Sequence, residues 1–148
     1  MSTICETTLR VRYAETDQMS VVYHSNYLIW FEVGRVELLR QLGFSYREME
    51  QDGINLPVAE AKCRYKHPAC YDDELTIRTR LSQMRSSLLR FHYEVVRKSD
   101  GRLLAEGETV HIVVGRDRKR THLTEKYLGA LHAAAETAAP AARPAAQS

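Results

Sequence analysis

Cysteines, long apolar runs and an excess of charge of either sign are all scarce in this 148-residue chain. The three cysteines, Cys5, Cys63 and Cys70, are odd in number and have no close pairing, which favours a reduced, cytoplasmic protein. No stretch approaches the ~20 apolar residues that a membrane span needs, and residues 1–6 lack the pattern of a signal peptide. A net charge of +2, spread along the chain, argues against a nucleic-acid-binding protein.

The common signatures of metal, serine-hydrolase and nucleotide chemistry are also missing from the sequence. Neither a G-x-S-x-G elbow nor a P-loop is present. The cysteines and the histidines other than His24 show no metal-ligand spacing. These histidines are His67, His92, His111, His122 and His132. The sequence therefore gives no indication of a metal site.

The length of the chain predicts a single domain with a sizeable core. We expect residues 1–136 to form this domain. The segment 137–148 is rich in alanine and proline and has little to bury, so it is predicted to be a disordered tail.

The hydrophobic pattern predicts an α+β fold. An alternating strand over residues 6–13 precedes a polar turn and a helix over residues 26–42 that Ser25 or Asn26 can cap. Apolar residues cover most of this helix, and Gly34 at its centre indicates that the helix backbone approaches its neighbours closely there. After a short helix, four alternating strands follow from Pro57 to Val114. Because their connections are short, we expect these four to be antiparallel neighbours, giving a five-stranded sheet wrapped around the long helix.

The turn before the long helix carries the candidate chemistry. Asp17 lies a few residues upstream of the helix start, where backbone N–H groups are left without partners. A carboxylate beside such donors can supply the base or nucleophile and the electrophile-stabilising site of acyl transfer. The alternative is that Asp17 is a turn residue that accepts local N–H bonds, which is common for aspartate.

The residues around this turn resemble a known family signature. The stretch from Arg10 to Leu28 is similar to the 4-hydroxybenzoyl-CoA thioesterase family, which has the hot-dog fold, and it is nearest to the acyl-CoA thioesterase branch associated with the Tol-Pal gene cluster. The stretch includes Thr16-Asp17 and Val21-Val22-Tyr23-His24-Ser25-Asn26-Tyr27-Leu28, and the likeness continues through Phe31–Arg35, Leu39–Arg40 and Tyr71–Thr76.

The resemblance implies hydrolysis of an acyl-CoA thioester without a metal ion or cofactor. The family's essential carboxylate falls on Asp17, which would act as nucleophile or as general base toward water. The family's carbonyl-polarising N–H falls on His24, whose side chain would orient the substrate or Asp17, or only bond locally. Tyr23 and Asn26 would shape the site. Ser20 departs from the family, which usually has glycine or alanine there, and a positive φ at this turn would strain serine.

Basic residues are expected where the phosphates of coenzyme A (CoA) bind. The family's nucleotide-binding turn, between the third and fourth strands, matches Arg85, although Ser86 and Ser87 replace a basic run. Arg118, within the charged run 116–120, is a second candidate, and the alternative there is a solvated loop.

The family forms homodimers, often homotetramers, whose sheets join edge to edge. The resemblance therefore implies a site shared between Asp17 of one chain and residues of strands 57–67 and 75–84 of another. Two other functions remain open. One is a hot-dog dehydratase, which would need a catalytic histidine in a different motif, and the other is a non-catalytic module that binds acyl thioesters or acyl carrier protein.

Overall fold

The computed structural model describes residues 3–136, so the predicted tail over 137–148 lies outside the described residues. It contains one five-stranded sheet, three α-helices and a single-turn 3-10 helix over Tyr13–Glu15. The elements in chain order are β1 Ile4–Arg10, α1 Asn26–Gln41, α2 Tyr46–Gln51, β2 Val58–Tyr65, β3 Glu74–Arg85, β4 Leu88–Arg97, β5 Leu103–Ile112 and α3 Glu125–Glu136.

The sheet confirms the predicted α+β class but not the predicted neighbours of β2. All pairings are antiparallel, and the spatial order is β1-β3-β4-β5-β2. The expectation that β2 pairs with β3 is wrong, because β2 pairs with β5 at the far edge. The connection from β2 to β3 therefore runs across the end of the sheet, where Lys66 and His67 donate to the carbonyl of Leu104 and Ala69 is buried.

Helix α1 lies across the inner face of the sheet and supplies much of the core. Phe31 stacks on Tyr93 with 4.3 Å between ring centroids. The close approach predicted at Gly34 is confirmed, because a Cβ atom there would lie 2.2 Å from Thr79 Oγ1. Residues 3–136 do not cover the opposite face of α1, so Ile29 is 52% exposed and Val33 is 37% exposed.

The outer face of the sheet carries a ladder of ion pairs that crosses the strands. Both signs of charge alternate between neighbouring strands, so the members of the ladder pair with one another within the chain. The pairs are Glu6–Arg78 at 3.0 Å, Arg78–Glu94 at 3.3 Å, Arg90–Glu108 at 3.2 Å, Lys62–Glu108 at 3.4 Å and Arg64–Glu106 at 3.6 Å.

The two shorter helices close one end of the molecule. Ser45 caps α2 by accepting the N–H of Glu48. Helix α3 packs on β3, and the buried Tyr127 donates its hydroxyl to Asp52 beyond the end of α2. Within residues 3–136, every helix is too short or too polar to cross a membrane.

Candidate active site

The loop between β1 and α1 folds back on itself and holds Asp17 at its tip. Thr16 and Val22 form an isolated antiparallel bridge, and the N–H of Asp17 donates to the carbonyl of Val21 at 2.8 Å. Ser20, whose N–H donates to the Asp17 carbonyl, has a φ of 69°. The turn thus requires the left-handed conformation at the position where the related family usually has glycine or alanine, at a cost of order 1 kcal/mol.

The carboxylate of Asp17 is half-buried and engaged on one side. Its Oδ1 accepts the N–H of Met19 at 2.8 Å, which is the local turn bond considered as the alternative for this residue. No group within residues 3–136 donates to its Oδ2. The turn bond fixes the direction of the carboxylate, and the second oxygen remains available for chemistry.

A buried acid that the sequence analysis missed fastens this loop to α1. Glu15 is 5% exposed, and its carboxylate accepts the indole N–H of Trp30 at 3.2 Å and the backbone N–H of Arg12 at 2.8 Å. Its carbonyl accepts the N–H of Tyr23 and the side-chain amide of Asn26. Glu15 was hidden because an acid in a polar turn has no periodicity to reveal that it is buried.

The start of α1 leaves two backbone donors without an acceptor among the described residues, seven and eight positions after Asp17 in the chain. Ser25, expected to cap the helix with its side chain, has helical φ and ψ and makes no side-chain cap. Asn26 does not cap α1 either, because its amide donates to the carbonyls of Glu15 and Tyr23. The N–H groups of Asn26, Tyr27 and Leu28 are already bonded, whereas in the described part of the chain those of His24 and Ser25 have no acceptor.

His24 is exposed, and its surroundings position its backbone rather than its ring. Partial burial beside Cys63 raises the pKa of Tyr65 to about 12, so this hydroxyl stays protonated and donates to the His24 carbonyl at 3.0 Å. The imidazole packs on Tyr23 with 4.4 Å between ring centroids and makes no hydrogen bond to Asp17. His24, Tyr27 and Tyr65 line a cavity of about 250 Å³.

The two candidate CoA-binding residues lie together, but far from Asp17. Arg85 ends β3, and the hairpin that follows it is bonded to the segment after β5, with the Ser86 and Ser87 carbonyls accepting from Leu123 and Val113. Arg118 is exposed in that same segment, so both predicted phosphate contacts gather at one end of the sheet.

A large cavity opens beside Arg118. It has a volume of about 670 Å³, within the range of small-molecule sites. Its apolar lining comes from α2, the segment that leads into β2 and the end of β5, and Arg116 and Arg118 add positive charge. The lining includes Tyr46, Met49, Leu56, Pro57, Ile112 and Arg118.

These two groups of residues lie at opposite ends of β2. The large cavity includes Pro57, next to the first residue of the strand, whereas Tyr65 at its last residue bonds to His24. Eight residues of strand separate them by about 25 Å. One chain alone therefore does not bring Asp17 to the large cavity.

A buried polar network, also missed from the sequence, lies behind the large cavity. Arg35 is 7% exposed and donates from Nε to the Tyr46 hydroxyl at 2.6 Å and from Nη1 to the Tyr93 hydroxyl at 3.0 Å. Burial alone would lower its pKa, but the two tyrosines outweigh burial and raise the pKa above its usual value. From Tyr93 the network continues through Thr109 to His111, whose pKa is lowered by burial to about 4.

A metal site is not found in the part of the chain that is described. Among residues 3–136, no cluster of three or more histidine, cysteine, aspartate or glutamate side chains could hold a metal ion.

The family described as Thioesterase-like superfamily matches residues 11–144. A relative named Acyl-CoA thioester hydrolase YbgC, from Escherichia coli O6:H1, is 34% identical over 106 residues, covering 72% of this chain and 78% of the relative.

Two solved structures share the fold at high similarity. A DHNA-CoA thioesterase from Staphylococcus aureus is 34% identical with a TM-score of 0.82, covering 90% of this chain and 89% of the other. A hypothetical protein from Thermus thermophilus is 38% identical with a TM-score of 0.83, covering 87% and 98%. These findings confirm the predicted hot-dog fold and the predicted enzyme class, thioester hydrolases. The chain belongs to the thioesterase-like superfamily.

Proposed function

We propose that this protein hydrolyses acyl-CoA thioesters, with Asp17 as the reacting carboxylate and the N–H of His24 as the donor to the thioester carbonyl. The observation that carries the proposal is the folded loop from Thr16 to Asn26. It places a half-buried carboxylate with one free oxygen and a backbone N–H without an acceptor on the same short segment.

The proposed chemistry needs only these two groups and water. The thioester oxygen accepts the N–H of His24, which stabilises negative charge as the carbonyl carbon becomes tetrahedral; one such donor lowers the barrier by about 3 kcal/mol. Asp17 either attacks the carbonyl carbon or removes a proton from the attacking water. In both routes the CoA thiolate leaves and takes up a proton, and one water is consumed for each acid released.

The proposed working unit is at least a homodimer joined through the free edge of β2. Within residues 3–136 this strand pairs with β5 alone, so a row of its backbone groups faces outward. Antiparallel pairing of β2 with a second copy would place the Pro57 end of one strand beside the Tyr65 end of the other. The cavity of one chain would then lie near Asp17 and His24 of its partner, which one chain alone does not achieve.

In that arrangement, the large cavity would receive the acyl group or the pantetheine arm, and the basic end would receive the CoA phosphates. Arg85 and Arg118 would supply positive charge at its rim. The apolar lining suits a small, aromatic or medium-chain acyl group. The name of the Staphylococcus aureus relative, DHNA-CoA thioesterase, supports an aromatic acyl group. We also propose the narrower placement of the chain in the 4-hydroxybenzoyl-CoA thioesterase family, nearest to its Tol-Pal-associated branch.

The test compares thiol release by wild type, Asp17→Asn and Asp100→Asn from a panel of acyl-CoAs. Asp100 is the control, because its Oδ1 accepts the N–H of Arg102 at 3.1 Å as Asp17 accepts that of Met19. Asp100 differs in that its Oδ2 also accepts from Arg97 at 3.0 Å, so the control substitution removes one surface ion pair as well. Asparagine keeps this turn bond at both positions. We expect Asp17→Asn to lower kcat by roughly 10²–10⁴-fold and Asp100→Asn to leave it nearly unchanged. Equal loss in both variants, or a folded wild type that binds acyl-CoA without turnover, would refute the proposal and favour a binding module.

A further inference from the structure

The buried network around Arg35 joins two walls of the large cavity. One arm runs from Nε of Arg35 to the hydroxyl of Tyr46, on the α2 wall. The other arm runs through Tyr93 and His111 to the carbonyl of Leu56, on the wall that leads into β2. A single guanidinium on α1 therefore connects both sides of the cavity.

The hydrogen bonds of the second arm all point the same way. The Leu56 carbonyl can only accept, so Nδ1 of His111, 2.9 Å away, must carry a proton. His111 is neutral near pH 7, which leaves its Nε2 as an acceptor, and the hydroxyl of Thr109 at 2.9 Å donates to it. Because the hydroxyl proton of Thr109 is donated to His111, the Thr109 oxygen accepts the hydroxyl proton of Tyr93 at 2.6 Å. The Tyr93 oxygen in turn accepts from the guanidinium of Arg35.

This directed chain leaves little freedom at the cavity wall. In the described structure no backbone N–H of a neighbouring strand donates to the Leu56 carbonyl. The backbone bonds on either side of it are made by Asn55 with Val114 and by the Pro57 carbonyl with Ile112. Without His111 this partly buried carbonyl would lose its hydrogen bond, which favours a shift of the segment that carries it. The position of Leu56 thus depends on a relay that begins at Arg35.

We infer that the relay from Arg35 through Tyr93, Thr109 and His111 sets the width of the large cavity and so determines which acyl groups fit. The inference rests on the proposed function only in assigning the cavity to the acyl group. Arg35 and His111 are then positioning residues, and no residue of the relay needs to touch the reacting atoms.

The test breaks the relay at its centre without changing side-chain shape. Thr109→Val removes the hydroxyl that links Tyr93 to His111, and Thr109→Ser restores it. Thr79→Val is the matched control, because Thr79 is also a fully buried threonine on the inner face of the sheet and its Oγ1 has no hydrogen-bond partner. Each protein is titrated calorimetrically with thioether analogues of short straight-chain, medium straight-chain and aromatic acyl-CoAs, which cannot be hydrolysed.

We expect Thr109→Val to change the ratio of dissociation constants between aromatic and straight-chain analogues by about tenfold. Thr109→Ser and Thr79→Val should keep the wild-type ratio. An unchanged ratio in Thr109→Val, an equal change in Thr79→Val, or no binding of any analogue to the wild type would overturn the inference. Relay-dependent binding by a wild type that cleaves no thioester would support the inference while refuting the proposed hydrolysis.

Discussion

The close packing of α1 on the sheet predicts how the substitution Gly34→Ala changes the free energy of unfolding. Alanine in a helix interior normally stabilises a protein by about 1 kcal/mol relative to glycine. At Gly34, however, the new Cβ atom would lie 2.2 Å from Thr79 Oγ1 and 3.0 Å from Cγ2 of Ile77. Relief of this overlap requires a shift of about 1 Å in a packed interior, and overpacking of this kind costs about 1–3 kcal/mol. We therefore expect a net destabilisation of about 1 kcal/mol.

The same substitution in open space supplies the comparison. Gly129, inside α3, has nothing within 4 Å of an added Cβ atom, so Gly129→Ala should stabilise the protein by up to about 1 kcal/mol. Urea unfolding followed by circular dichroism gives both values. If Gly34→Ala proves as stabilising as Gly129→Ala, α1 does not lie as close to β3 as described. Combining Gly34→Ala with Thr79→Ala should recover part of the loss, since the closest contact is removed.

Two further predictions concern the turn and the buried histidine. Ser20→Gly should raise the free energy of unfolding by about 0.5 kcal/mol, because relief of the left-handed strain exceeds the added entropy of the unfolded chain; a lower urea midpoint would contradict this. The pKa of His111 is lowered from 6.5 to about 4, so its contribution to stability is complete above pH 6.5 and is lost as pH falls toward 4. The loss is about 3 kcal/mol, and His111→Gln should flatten this part of the pH profile, whereas an unchanged profile would contradict it.

The sequence predicts the long helix, the strands and the candidate loop because each has a local signal. Apolar spacing identifies α1, and the motif around Asp17 specifies a turn followed by a helix start. The place of β2 has no such signal, because a connection of eight residues between β2 and β3 can form a hairpin or cross the sheet. Contacts that form only after folding decide between the two, such as those of Lys66 and His67 with Leu104.

The buried polar residues escaped prediction for a related reason. Thr109 and His111 alternate with the apolar Val110 and Ile112, so the pattern alone suggests that the polar side of β5 faces solvent. In the structure Thr109 and His111 face the core, and Val110 is also largely buried. Arg35 is likewise a residue type that is almost never fully buried without a partner. The network could be recognised only once α1, β4 and β5 had been brought together.

The ion-pair ladder on the outer face of the sheet bears on how copies of this enzyme can associate. A second protein that approached this face would have to separate Glu6 from Arg78, or Arg90 from Glu108, before it could form equivalent pairs of its own. Such an exchange replaces one set of ion pairs by another and gains little, since exposed pairs contribute only about 0–1 kcal/mol each. The ladder thus gives other molecules little to gain by binding to the outer face of the sheet. Binding is then expected at the strand edge and at the cavities.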